Sequence, residues 1–295
     1  MDISGLIVPV VTPFDTHNQI DLGALEQLLE HFIAEGVQGV VACGTTGEYY
    51  ALNDSERLLV LSKIAEIAKG RMKLVAGVND LSTRGAIAKA KQAAELGYEA
   101  LMMAPPAYSL PSQEEIVAHY IEVAENSPLP IIMYNFPARA GVTIELETVA
   151  QLSRHPKIIA IKESSGDFSR ALALIQADLP NFEIVCGCDD QAAEFLFWGV
   201  DSWISGTANV FPKEQVAMLA AAQQQNWKLV KTHMNAMYPS IRSMESEAYN
   251  SKAKIGCERH GIAVGEVRQP LRPISSEKAQ EFRQLLAQFT SPIKA

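Results

Sequence analysis

Eight short apolar runs alternate with amphipathic stretches along the first three quarters of the chain. The runs lie near 5–12, 39–43, 73–78, 100–104, 130–134, 158–161, 182–186 and 202–204. Between them, 21–35, 54–69, 82–96, 112–126, 145–154, 168–178, 189–198 and 212–225 carry apolar residues at helical spacing. The short runs place apolar side chains at successive positions, as in Ile131-Ile132-Met133 and Ile158-Ile159-Ala160-Ile161. Strands covered on both faces have this pattern, and such strands belong to parallel sheets. Asp54, Ser82 and Ser112 signal helix starts, and Gly36, Gly70 and Gly97 sit where helices end. Eight strand–helix units in ~225 residues fit a (β/α)8 barrel. An open doubly wound sheet is the competing arrangement, but it rarely runs through eight such evenly spaced units. After about residue 226 no strand-like run remains, and the pattern predicts helices over about 226–247, 250–259 and 275–290. The expected fold is therefore an α/β TIM barrel over 1–225 with a C-terminal helical extension over 226–295.

Composition narrows the function classes. The 34 acidic residues against 25 Lys and Arg give a net charge of −9, which argues against a nucleic-acid partner. No apolar stretch reaches the ~20 residues that cross a bilayer, so no membrane association is expected. The N-terminal residues lack a basic segment ahead of their apolar part, unlike a secretory signal. Four cysteines do not make a disulfide framework. The expectation is a soluble cytoplasmic protein.

A barrel places its chemistry at the C-terminal ends of the strands. Run six ends in Lys162-Glu163-Ser164-Ser165-Gly166. Lys162 is either a rim lysine paired with Glu163 or Asp189, or a nucleophilic amine able to form a Schiff base. At the ordinary pKa only about one lysine in 2,500 is neutral at pH 7, and burial raises that fraction. Run five ends in Tyr134-Asn135-Phe136-Pro137-Ala138-Arg139. Tyr134 falls at the same barrel level as Lys162 and is either a core tyrosine or a proton shuttle. Arg139 is a surface arginine or a two-point clamp for a carboxylate. Run two ends in Gly44-Thr45-Thr46-Gly47-Glu48, a tight turn whose hydroxyls and free N–H groups suit a small carboxylate. Tyr108, after run four, lies on a loop above the mouth as a relay or an exposed aromatic. Cys186-Gly187-Cys188 lacks partners at zinc spacing, and buried thiols explain it better than a metal. Cys257, Glu258 and His260 form no arguable triad.

Taken together, GTTGE at 44–48, YNFPAR at 134–139, IKESSGD at 161–167 and ISGTANV at 204–210 resemble the dihydrodipicolinate synthase/N-acetylneuraminate lyase family. The resemblance follows the barrel units in order. It implies a (β/α)8 barrel with a helical extension, usually a homotetramer built as a dimer of dimers, with no metal or organic cofactor. It also implies that Lys162 forms a Schiff base with pyruvate and Tyr134 relays protons. Thr45 would link Tyr134 to Tyr108, which in the synthase branch reaches in from a neighbouring subunit. Thr45 and Thr46 would hold the pyruvate carboxylate, with Gly187 and the Ile204 carbonyl lining the pocket. Arg139 and ISGTANV lean toward the synthase branch, whose second substrate is aspartate semialdehyde.

Some positions depart from that branch. Pro106-Ala107-Tyr108 keeps the relay tyrosine but loses its aromatic neighbour, and Tyr49 and Tyr50 are bulkier than the residues common there. Positions used by lysine-inhibited members fall near Asp54, Arg57, Leu81, Gly85 and Ala107, and the expected polar set is missing, so no strong feedback by lysine is expected. The alternatives are a family aldolase, dehydratase or deaminase acting on a 2-keto-3-deoxy sugar acid or a hydroxyproline-derived imino acid, and a non-catalytic pyruvate-binding barrel. A phosphate-binding barrel enzyme built around Ser205-Gly206-Thr207 has no basic residue close by in sequence.

Overall fold

Strand ends set the site, so strand register comes first. The computed structural model describes residues 2–293. Met1, Lys294 and Ala295, the ends of the expected two-part division, lie outside the described residues. The eight apolar runs form strands β1 Gly5–Pro9, β2 Gly39–Ala42, β3 Lys73–Gly77, β4 Ala100–Met103, β5 Ile131–Asn135, β6 Ile158–Glu163, β7 Glu183–Cys186 and β8 Ser202–Ile204. Each pairs in parallel with its sequence neighbours, and β8 pairs back onto β1, closing the barrel. The open sheet is thereby excluded.

Helices follow the strands: α1 Leu22–Ala34, α2 Asp54–Ala68, α3 Thr83–Glu95, α4 Gln113–Asn126, α5 Pro137–Ala140, α6 Leu146–Leu152, α7 Phe168–Gln176, α8 Ala192–Phe197 and α9 Pro212–Gln223. Ser82 and Ser112 cap α3 and α4 through their hydroxyls, as expected. At α2 the cap is Asn53 rather than Asp54; Asn53 and Glu56 form a reciprocal capping box, which leaves Asp54 in the first turn. The single turn α5 was not signalled by periodicity; it closes on the Phe136 carbonyl, which accepts from the Arg139 and Ala140 N–H groups.

The strands alternate between two cores. Ile7, Val41, Val75, Met102, Ile132, Ala160, Val185 and Ile204 point into the barrel, while their strand neighbours pack against the helices. The C-terminal extension forms α10 Trp227–Ser246, α11 Tyr249–Cys257 and α12 Ser276–Gln288, close to the ranges expected. It is fastened to the barrel by polar contacts. The buried Glu48 carboxylate pairs with Lys254 at 2.8 Å and accepts the Arg268 N–H at 2.8 Å. The guanidinium of Arg268 packs 4.0 Å from the centre of the Phe14 ring. No helix among the described residues is long and apolar enough to cross a membrane.

Candidate active site

Tyr134 and Lys162 are register partners on β5 and β6. Their strand parity, shared with Ile132 and Ala160, points both into the barrel. Lys162 is only 6% exposed, and its Nζ lies 4.5 Å from the centre of the Tyr134 ring. The stem passes Gly187, where an added Cβ would lie 2.9 Å from Lys162 Cε and 2.6 Å from the Glu163 carbonyl oxygen. A side chain at 187 would strike the Ser164 hydroxyl and the Glu163 carbonyl and crowd the lysine stem, so glycine is required there by space alone.

Neither partner expected for a rim lysine takes Lys162. Glu163 points to the opposite face, where Asn135 Nδ2 donates to both carboxylate oxygens and Arg170 Nε lies 3.0 Å away. Asp189 is held by the Trp203 indole N–H at 3.0 Å, the Thr207 backbone N–H at 3.0 Å and the Tyr249 hydroxyl at 2.9 Å. Among the described residues Lys162 has no hydrogen bond or ion pair. Burial lowers its pKa to about 8, and the nearby negative charge of Asp189 opposes that shift without cancelling it. Burial likewise pushes the Tyr134 phenol well above its usual range, partly offset by the Thr45 and Ser164 side chains and the charge of Arg139.

The loop after β2 forms the next wall. Cys43 and Glu48 take left-handed backbone at φ 52° and 55°, bracketing the Gly44–Gly47 turn. Thr46 is buried, and Thr12 Oγ1 donates to the Gly47 carbonyl at 2.7 Å. From the extension, Asn250 Nδ2 donates to the Thr45 carbonyl and to the Tyr50 hydroxyl, each at 3.1 Å.

These groups enclose a cavity of about 350 Å³. Thr45, Thr46, Tyr134, Arg139, Lys162 and Gly187 all line it, so six of the expected site residues meet in one place. Ile204 does not line it; its side chain is fully buried in the barrel interior. Tyr108 also stays outside, 92% exposed with φ 69°, and no contact joins it to Thr45 within one chain. A neighbouring cavity of about 450 Å³ shares Thr45, Tyr134, Phe136 and Arg139 and is bounded by Tyr49 and Tyr50, whose rings meet edge to face at 5.6 Å. A larger hollow, about 1630 Å³, lies between the β1–α1 loop and residues 263–273 and shares no residue with either.

Sequence reasoning missed Ser164, Asp190, Glu245, Tyr249 and Asn250 as lining residues. Ser164 was within reach of strand parity, because it ends the same run as Lys162. The last three come from the extension, and nothing local to them announces a place at a barrel mouth. Cys186 and Cys188 are free thiols whose pKa burial raises, to about 12 at Cys188. Cys257 is buried, Glu258 pairs with Arg283, and His260 stacks on His31, so these three share no site.

Fold and cavity together define a (β/α)8 barrel with an unpartnered primary amine in its mouth. The model of the Dihydrodipicolinate synthetase family matches residues 2–289, and the chain belongs to that family. A 4-hydroxy-tetrahydrodipicolinate synthase of Exiguobacterium sp. is 36% identical over 97% of this chain and 98% of its own. The protein of that name in Pseudomonas aeruginosa is 32% identical over 97% and 98%. Among solved structures, the chloride-inhibited dihydrodipicolinate synthase of Acinetobacter baumannii, complexed with pyruvate, has a TM-score of 0.93 at 34% identity and covers 97% of this chain and 98% of its own.

Proposed function

We propose that this chain is a 4-hydroxy-tetrahydrodipicolinate synthase, a lyase that condenses pyruvate with aspartate semialdehyde through a Schiff base on Lys162. The observation that carries the reading is the buried, unpartnered Lys162 amine on the same rung as Tyr134. With its pKa lowered to about 8, ~10% of this lysine is neutral at pH 7, a gain of more than a hundredfold over an ordinary lysine. The names of the relatives support the substrate pair, and the sugar-acid, imino-acid and non-catalytic readings have no comparable support.

The neutral amine adds to the ketone carbon of pyruvate. Tyr134 moves protons as the resulting carbinolamine loses water to an iminium ion. The iminium draws electrons from the adjacent methyl group, which loses a proton to give an enamine. The enamine carbon attacks the aldehyde of the second substrate, and the aldehyde oxygen takes up a proton. Finally the amine of that substrate attacks the iminium carbon, the bond to Nζ breaks, and Lys162 is released as a cyclic imine forms. Thr45 and Thr46 suit the pyruvate carboxylate, and Arg139 at the outer wall suits the carboxylate of the second substrate. No metal or organic cofactor takes part.

The exposed Tyr108 fits donation to the mouth of a second copy, in a homotetramer built as a dimer of dimers. We take 1–225 as the catalytic barrel and 226–295 as an extension that completes its mouth, in a cytoplasmic enzyme. Arg57 is committed to the Gln92 side chain and the Gly77 carbonyl, and a Cβ at Gly85 would strike the Asp80 carboxylate. Both support insensitivity to lysine, and half-inhibition at sub-millimolar lysine contradicts it. The main test is borohydride reduction with pyruvate, followed by intact mass and peptide mapping, alongside a condensation assay with aspartate semialdehyde. The expected result is a single pyruvate adduct on Lys162 and turnover of the aldehyde. An unmodified chain, or an adduct elsewhere, contradicts the reading.

A further inference from the structure

Part of the lining of the Lys162 cavity is acidic, and this acid is not spent on the lysine. Asp189 is the carboxylate that acts on Lys162. The next residue, Asp190, instead meets Glu245 from the end of α10, whose carboxyl lies against both the Asp190 side chain and its backbone N–H. Both line the cavity together with Lys162 and Arg139. Among the described residues neither carboxyl has a basic partner within ion-pair distance. Glu245 is exposed as a residue, but partial desolvation of its carboxyl, then the charges of Asp189 and Asp190, raise its pKa to about 8.

The half-buried Asp190 and the exposed Glu245 repel each other when both are charged, and folding does not require the pair. Their surroundings are also built. Ala248, in left-handed backbone at φ 51°, turns the chain between Glu245 and Tyr249. Tyr249 then reaches Asp189, and Gly206 leaves the room, since a Cβ there would lie 2.2 Å from the Tyr249 oxygen. The Lys162 amine, 6% exposed and without a partner of its own, aims into the same space. The cavity thus offers a nucleophilic amine, a guanidinium for a carboxylate, and a carboxyl pair lacking a cation.

Resting on the proposed synthase reading, we propose that Asp190 and Glu245 hold the ammonium group of the second substrate and take its proton before that nitrogen attacks the iminium carbon. The ammonium N–H bond breaks and its proton passes to the carboxyl pair. The freed lone pair forms the new carbon–nitrogen bond. A second proton moves from that nitrogen to Lys162 Nζ, the bond from carbon to Nζ breaks with its electrons returning to Nζ, and the lysine leaves as a neutral amine with the product as a protonated cyclic imine. The substrate nitrogen thus gives up two protons, one to the carboxyl pair and one to Lys162 Nζ. A carboxyl that titrates near neutral pH is matched to this exchange. The pair and Arg139 together select an acceptor that carries both an amine and a carboxylate.

The test compares aspartate semialdehyde with succinic semialdehyde, which lacks only the amine. Chains loaded with pyruvate are mixed with each aldehyde, reduced with borohydride and weighed intact. In the unaltered chain, aspartate semialdehyde consumes the pyruvate adduct at lower concentration than succinic semialdehyde. In Glu245→Gln, and separately in Asp190→Asn, the aspartate semialdehyde concentration for half consumption rises about tenfold, while that for succinic semialdehyde changes less than about twofold. The larger two-substrate adduct also accumulates with aspartate semialdehyde in these variants, because release of Lys162 is slowed. Consumption of succinic semialdehyde shows that the variants are folded. Equal shifts for both aldehydes in both variants, or no shift, overturn the inference and leave the lyase reading standing. So does an unaltered chain that takes both aldehydes equally. Failure of the unaltered chain to trap pyruvate overturns the underlying reading and this inference with it.

Discussion

The two faces of the β5–β6 ladder differ in how their polar groups are satisfied. Outward, Asn135 and Glu163 are register partners whose polar atoms are engaged. Asn135 donates to Glu163 and accepts the Ile144 N–H at 3.0 Å, and Glu163 also accepts the Ser165 N–H at 2.7 Å and pairs with Arg170. Inward, one residue earlier on each strand, Tyr134 and Lys162 are equally buried, yet the lysine has no partner. The outward set ties β5 and β6 to the segments that follow them. The inward set keeps an amine desolvated, at a cost to stability, so that it is free to react.

Removing the inward amine has the largest effect. Lys162→Met abolishes the pyruvate adduct, read by intact mass after borohydride. The same variant is more stable. Because the folded pKa of Lys162, about 8, lies below its ordinary value of 10.5, the unfolded chain binds more protons between those values. The lysine's contribution therefore improves as pH rises through that window, and its full cost is present below about pH 8. Methionine removes a cost of roughly 1–3 kcal/mol at pH 7, and thermal melting shows a midpoint higher by about 4 °C. A less stable methionine variant means that the amine is satisfied in the folded chain.

Tyr134→Phe comes next, slowing turnover by ~10²–10⁴-fold through lost proton transfer, with the melting midpoint nearly unchanged. Arg139→Ala raises the KM for aspartate semialdehyde by roughly tenfold while pyruvate trapping stays near that of the unaltered chain. If trapping falls equally, Arg139 serves pyruvate and not the second substrate. The smallest effect on chemistry belongs to the outward set. Arg170→Met leaves a buried Glu163 carboxylate without its cation and lowers stability by about 3 kcal/mol in denaturant unfolding. Adduct formed per folded molecule is maintained. Loss of trapping in folded Arg170→Met erases the distinction between the two faces.

The contrast between the faces was legible in the sequence only on one side. Strand runs buried on both faces announced the parallel barrel, and placing Tyr134 level with Lys162 needed only strand parity and neighbouring strands. The partners of Lys162 were not legible, because the choice between Glu163 and Asp189 depends on which way each side chain turns. Glu163 turns outward by alternation, and Asp189 is claimed by Trp203, Thr207 and Tyr249, the last 60 residues away. The Asn250 contact to Thr45 spans 205 residues and leaves no local trace. Periodicity located α10 and α11 but not the face they present to the mouth. Tyr108 was visible as a residue of the right kind, yet one chain leaves it in solvent.

The pH dependence of trapping measures the state of the inward amine most directly. The rate of adduct formation on Lys162 at fixed pyruvate is followed by rapid borohydride quench and mass from pH 6 to 10. The account predicts a rate that climbs with the neutral fraction and levels off at an apparent pKa near 8. A rate still climbing at pH 10, as for an ordinary hydrated lysine, contradicts it.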